Sequence, residues 1–99
     1  MINVKPVDIN GRTFLAIEVK LPKTTLLVVT GEHGYIMCGA LDVGLLNEKL
    51  QDRKVIAARA VGVRTIKELL HAPLESVTAE AEKRGIKKGM AGKDALLLM

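Results

Sequence analysis

The sequence predicts an α+β domain: an N-terminal antiparallel β meander plus a further strand, the sheet covered by three to four helices from the C-terminal half. Three observations carry this reading. Apolar residues alternate or run in short blocks through residues 1–39, Asn10-Gly11 separates the first two blocks, and from Asp42 the apolar period becomes helical. At 99 residues the chain suits a single domain with a modest core and has no room for a second one. Residues 1–39 form the β-rich part, expected to be the oligomerisation region, and residues 40–99 the helix-rich part with one strand at about 55–61.

The first two strands, Ile2 to Ile9 and Thr13 to Leu21, flank Asn10-Gly11, whose residues both accept positive φ and so suit a type I′ hairpin. In the second strand Leu15, Ile17, Val19 and Leu21 make one face wholly apolar, while Phe14, Ala16, Glu18 and Lys20 make the other mixed. The first strand changes phase around Lys5-Pro6, which a bulge or an edge position would accommodate. Leu21-Pro22-Lys23-Thr24 reads as the next turn. Leu26 to Val29 and Tyr35 to Cys38 follow as strands apolar on both faces, joined by Gly31-Glu32-His33-Gly34.

Val43, Leu46 and Leu50 then share one helical face, with Leu45 widening it. Val55 to Val61 returns to strand, with Arg59 expected to be an exposed or edge-facing charge because buried arginine is rare. Thr65 and Glu68 have capping-box spacing and start a helix that Pro73 interrupts; a second helix is expected to restart with Leu74, Val77, Thr78 and Ala81 on one face. Lys83, Arg84, Gly85 and Ile86 mark its end, and a short helix from about Lys93 to Leu98 completes the core.

Composition excludes several classes. Hydrophobic residues are 48% of the chain and aromatic ones 2%, so the core is aliphatic and the chain folds. The lone cysteine forbids an internal disulfide and no signal-peptide pattern opens the sequence, so a cytoplasmic location is expected. Apolar runs fall short of the about 20 residues of a membrane helix. A net charge of +4 permits an anionic ligand without demanding one. Lys83, Arg84, Lys87, Lys88 and Lys93 form a basic cluster, but Phe14 and Tyr35, the only aromatics, are distant in sequence, so nucleic-acid binding is the weakest of the functional readings. Gly89 to Asp94 fails as a phosphate loop, since Lys87 and Asp94 replace its required glycine and hydroxyl residue.

Two constellations remain. The junctions Gly39-Ala40-Leu41-Asp42-Val43 and Gly62-Val63-Arg64-Thr65-Ile66 share a glycine, an N-cap residue and a β-branched residue. With their strands side by side, both helix starts would open on one sheet edge, and Gly39, Asp42, Gly62, Arg64 and Thr65 would hold a small anion. Cys38 precedes the first junction, where a helix N-terminus would favour thiolate, with His33, Asp42 or His71 as candidate partners and Gly39 and Ala40 N–H groups as oxyanion donors. Packing is the commoner role of a cysteine in an apolar strand, and His71 suits a helix C-terminus. His33, Cys38, Asp42 and His71 lack the spacing of a zinc site, so neither metal nor cofactor is expected.

The stretches HGYIMCGALD, AVGVRTIKELLHAPLESVT and GIKKGMAGKDAL together resemble the YunC-like family, small bacterial and archaeal proteins classed as a domain of unknown function. The resemblance spans essentially the whole chain. It implies an α+β domain whose N-terminal β region mediates tetramer formation, and it implies no catalytic or ligand-binding residues. The expectation is therefore a homo-oligomeric, non-membrane binding or accessory domain with a small-anion site at the strand-to-helix junctions. The alternatives are a cysteine-dependent enzyme using Cys38 and His33, and a weak nucleic-acid binder.

Overall fold

The computed structural model describes residues 2–39 and 54–99. Six strands form one sheet in the order of the sequence: β1 (Ile2–Ile9), β2 (Arg12–Leu21), β3 (Thr24–Thr30), β4 (Gly34–Met37), β5 (Ile56–Arg59) and β6 (Ser76–Val77). All neighbours pair antiparallel except β4 and β5, which are parallel. Among the described residues three short helices accompany them, α1 (Ile66–His71), α2 (Ala79–Lys83) and α3 (Gly92–Leu96). The helix expected from Asp42 onward lies outside the described residues.

The β1–β2 hairpin turns through Asn10 and Gly11, at φ 50° and 83°, the backbone a type I′ turn requires. β1 is an edge strand and its register with β2 runs unbroken from Ile2 opposite Val19 to Ile9 opposite Arg12, with no bulge at Lys5-Pro6. A two-residue loop closes on a hydrogen-bonded pair and such pairs alternate, so Ile9, Val7, Lys5 and Asn3 bond to β2. Pro6 falls between them, where its missing N–H faces the free edge and the ladder loses nothing.

The change of phase has another cause: the two ends of β1 serve opposite faces. Val7 and Ile9 pack on the core, whereas Ile2 and Val4 point away from it. β2 behaves unexpectedly as well. Its mixed face supplies the core, with Phe14 and Ala16 buried, while Leu15 and Leu21 of the wholly apolar face stay 45% exposed. The core then continues through Leu27 and Val29 of β3, Ile36 of β4, and Ala58 and Ala60 of the β5 region. Leu69 of α1, Ala81 and Ile86 around α2, and Ala95 and Leu96 of α3 close it. Gly92 lets α3 approach this closely, since a Cβ there would lie 2.5 Å from the Leu69 carbonyl oxygen and 2.7 Å from Ile36 Cδ1.

Between the helices the chain departs from expectation. α1 ends before Pro73, at cap residue Ala72, as the proline requires. Leu74 and Val77 are not helical, however: Ser76–Val77 adds to the sheet edge as β6 and α2 starts only after Thr78. Leu74 N–H donates to the Met90 carbonyl at 2.9 Å and Gly89 N–H to that of Leu74 at 2.9 Å. Backbone pairing with a distant segment thus overrides the helical spacing of Leu74, Val77, Thr78 and Ala81. Thr78 is buried and its hydroxyl is fully used, donating to the Val55 carbonyl at 2.7 Å and accepting from Ala57 N–H at 3.2 Å and Ala81 N–H at 3.3 Å. The end of α2 follows the expected form. Gly85 takes φ 88°, its N–H donates to the Glu82 carbonyl, and Ile86 N–H donates to that of Ala81, the paired bonds of a Schellman motif.

Candidate functional site

Parallel pairing of β4 and β5 places Gly39, the described start of the first junction, beside Val61 at the start of the second, at the edge where the two strands end. Ala60 N–H donates to the Met37 carbonyl at 3.0 Å, and a Cβ on Gly39 would lie 3.7 Å from Val61 Cγ1. The β2–β3 turn reaches the same edge. Lys23, Thr24 and Thr25 from that turn and Val63 and Arg64 from the β5–α1 loop line a cavity of about 440 Å³. Of the expected site residues Arg64 lines this cavity and Thr65 a different one, Gly39 and Gly62 line neither, and Asp42 lies outside the described residues.

The start of α1 is already occupied by the chain's own side chains. Thr65 accepts from Glu68 N–H at 3.1 Å, as capping-box spacing predicts, but the Glu68 carboxylate accepts from the Arg64 N–H at 2.8 Å, one residue earlier than the standard box. Gly62, at φ 75°, turns the chain from β5 into this cap. The polar side chains of the described cavity lining are those of Arg64, a guanidinium, Lys23, an ammonium, and Thr24 and Thr25, two hydroxyls. Sequence reasoning missed Lys23 and the threonines because they come from a hairpin turn distant in sequence. The available signal was lysine after proline in that turn, at φ 62°, a position that favours glycine or asparagine.

Cys38 lies beneath this edge, 7% exposed and in contact with the main core. Its Sγ accepts from Leu27 N–H at 3.5 Å and lies 4.0 Å from the Thr25 carbonyl oxygen, extending the β3–β4 ladder past the last regular pair. His33 sits in the turn at the other end of β4, exposed, 3.9 Å from Glu32 Oε2. A strand rises about 3.3 Å per residue, which puts His33 and Cys38 roughly 16 Å apart, and the structure does not bring them together. His71 closes α1, its Nδ1 2.8 Å from the Lys67 carbonyl. Among the described residues no three His, Cys, Asp or Glu side chains are placed to hold a metal.

Other candidates find ordinary surroundings. Arg59 is half-buried and not simply exposed, its Nε 3.3 Å from Glu75 Oε1, while Ser76 Oγ donates to the same carboxylate oxygen at 2.7 Å. In the C-terminal basic cluster Lys83 pairs with Glu80 at 3.1 Å across one helical turn. A second open cavity, lined by Asn3, Lys5, Glu18, Thr65 and Lys67 with Ala16 among its walls, lies between the β1–β2 hairpin and α1. Asn3 Nδ2 donates to Glu18 Oε1 at 3.3 Å, so that cavity holds its own donor and acceptor in contact. No helix among the described residues is long and apolar enough to cross a membrane.

Comparison with known proteins agrees with the architecture. The model of a domain of unknown function, DUF1805, matches residues 37–99. An uncharacterized protein, YunC, of Bacillus subtilis (strain 168) is 63% identical over 99 residues, covering all of this chain and 98% of its own length. The crystal structure of a protein of unknown function, TA1206, from Thermoplasma acidophilum superposes with a TM-score of 0.86 at 29% identity, over 97% of this chain and 90% of that one. The chain therefore belongs to the YunC-like family of domains of unknown function, DUF1805.

Proposed function

We propose that the protein is a self-associating accessory domain, a homo-tetramer whose copies meet on the face of β1, β2 and β3 turned away from the helices. One observation carries this reading: that face is apolar and uncovered. Ile2 and Val4 are 67% and 57% exposed, Leu15 and Leu21 45% each, and the strand register sets Ile17 opposite both Val4 and Val28 on the same side. Monomeric soluble proteins rarely leave a continuous apolar sheet face in water, and a second copy offers a chemically matching one.

The edge of the same region argues for contact by faces. β1 ends the sheet, so its outward N–H and C=O groups invite a further strand, but Pro6 removes the donor in the middle of that row. Stacking of faces needs no edge donors. It also buries the side chains that folding of one chain leaves in water. Light scattering at micromolar concentration should return a tetramer mass, and Leu15→Lys should lower it while far-UV circular dichroism stays unchanged. A monomer mass for the unaltered protein would overturn the proposal.

A further inference from the structure

Two cations have no side-chain partner among the described residues. Lys23 and Arg64 come from separate loops, line the same cavity, are exposed, and are unpaired among the described residues. Among the described residues no carboxylate lines that cavity. The Glu68 carboxylate accepts from the Arg64 backbone N–H at 2.8 Å. Each cation raises the electrostatic cost of holding the other nearby, and an anion between them removes it. Lys23 adds a backbone cost: after Pro22, whose ring holds φ near −65°, it occupies φ 62°, a conformation that favours glycine. Glycine there would make a less strained turn and would lack the ammonium.

We infer that this cavity binds a phosphomonoester, its phosphate held between the Lys23 ammonium and the Arg64 guanidinium and its organic group resting on Val63. The chemistry of the lining selects this class. Arginine matches two phosphate oxygens at once and lysine supplies a point charge. Thr24 and Thr25 add hydroxyl donors for a third oxygen, and Val63 gives one apolar wall. The site is built from side chains and does not call on the α1 backbone, where Thr65 already caps the Glu68 N–H. It is also built within one chain, so it goes beyond self-association and stands or falls separately from it.

Isothermal titration of the full chain with inorganic phosphate and with phenyl phosphate, at ionic strength held constant by sodium chloride, tests the site. Both should bind saturably, phenyl phosphate more tightly because of Val63. Lys23→Gly and Arg64→Gln should each weaken binding at least about tenfold, whereas Lys87→Ala, a charge removed from the C-terminal cluster, should leave it unchanged. Lys23→Gly has a second readout: it should raise the Tm as it loses phosphate, separating a residue held for its charge from one that merely forms the turn. Leu15→Lys, aimed at self-association, should bind phosphate like the parent. Absence of saturable binding, equal loss with Lys87→Ala, or parent-like affinity in both Lys23→Gly and Arg64→Gln overturns the inference.

Discussion

The two faces of β2 invert the usual relation between hydrophobicity and burial. The side carrying Phe14, Ala16, Glu18 and Lys20 is the more polar in composition, yet its first half is sealed beneath the C-terminal segment. Arg12 assists there, donating from Nη1 to the Leu97 carbonyl at 2.8 Å and lying 5.1 Å from the centre of the Phe14 ring. The side carrying Leu15, Ile17, Val19 and Leu21 is wholly apolar and has Leu15 and Leu21 substantially in water. Hydrophobicity of a strand face therefore says that the face needs a partner, and connectivity says whether the partner belongs to the same chain. Among the described residues the helices follow β5 and return to the side of Phe14, which leaves Ile2, Val4, Leu15 and Leu21 of the opposite face exposed.

The contrast can be broken most severely from the helix side. Leu96→Ala removes a fully buried side chain at the centre of the core and should cost about 3 kcal/mol, read as a lower urea midpoint. Thr78→Val should cost about 2 kcal/mol, because it deprives Ala57 N–H, Ala81 N–H and the Val55 carbonyl of one shared partner in a dry site. Substitution on the open face should be gentler to each chain: Leu15→Ala should change the stability of dilute protein by under about 0.5 kcal/mol while abolishing the dependence of Tm on protein concentration. A loss as large as that of Leu96→Ala, at every concentration, would show that the face belongs to the chain's own core. The smallest effect belongs to Cys38, which shares the core side with Ile36. Its thiol should label with a neutral-pH reagent only at the rate of unfolding, and rapid labelling of native protein would restore Cys38 as a candidate nucleophile.

Much of the fold was legible because its signals are local. Asn10-Gly11, the Thr65 cap with Glu68, the stop at Pro73, and the sequence Lys83-Arg84-Gly85-Ile86 each determine backbone shape within a few residues, and each element appears where those signals place it. β6 was illegible for the complementary reason. Ser76–Val77 is too short for a period of its own and exists because β5 offers it an edge and Met90 holds the preceding Leu74. The candidate site divides in the same way. Gly62, Arg64 and Thr65 are recognisable as a strand-to-helix junction, whereas Lys23 joins Arg64 only after the β2–β3 hairpin has folded against the end of β5.

The sequence by itself determined the α+β class, the hairpins, the helix caps and the presence of more apolar strand surface than a few short helices cover, since all of these follow from short-range backbone preference and alternation. Only the tertiary structure decided which face of β2 is core, which loops share a cavity and that His33 and Cys38 stand at opposite ends of β4. Those outcomes depend on the direction in which the chain crosses the sheet after β4 and β5, and no residue pattern within a single strand encodes that direction.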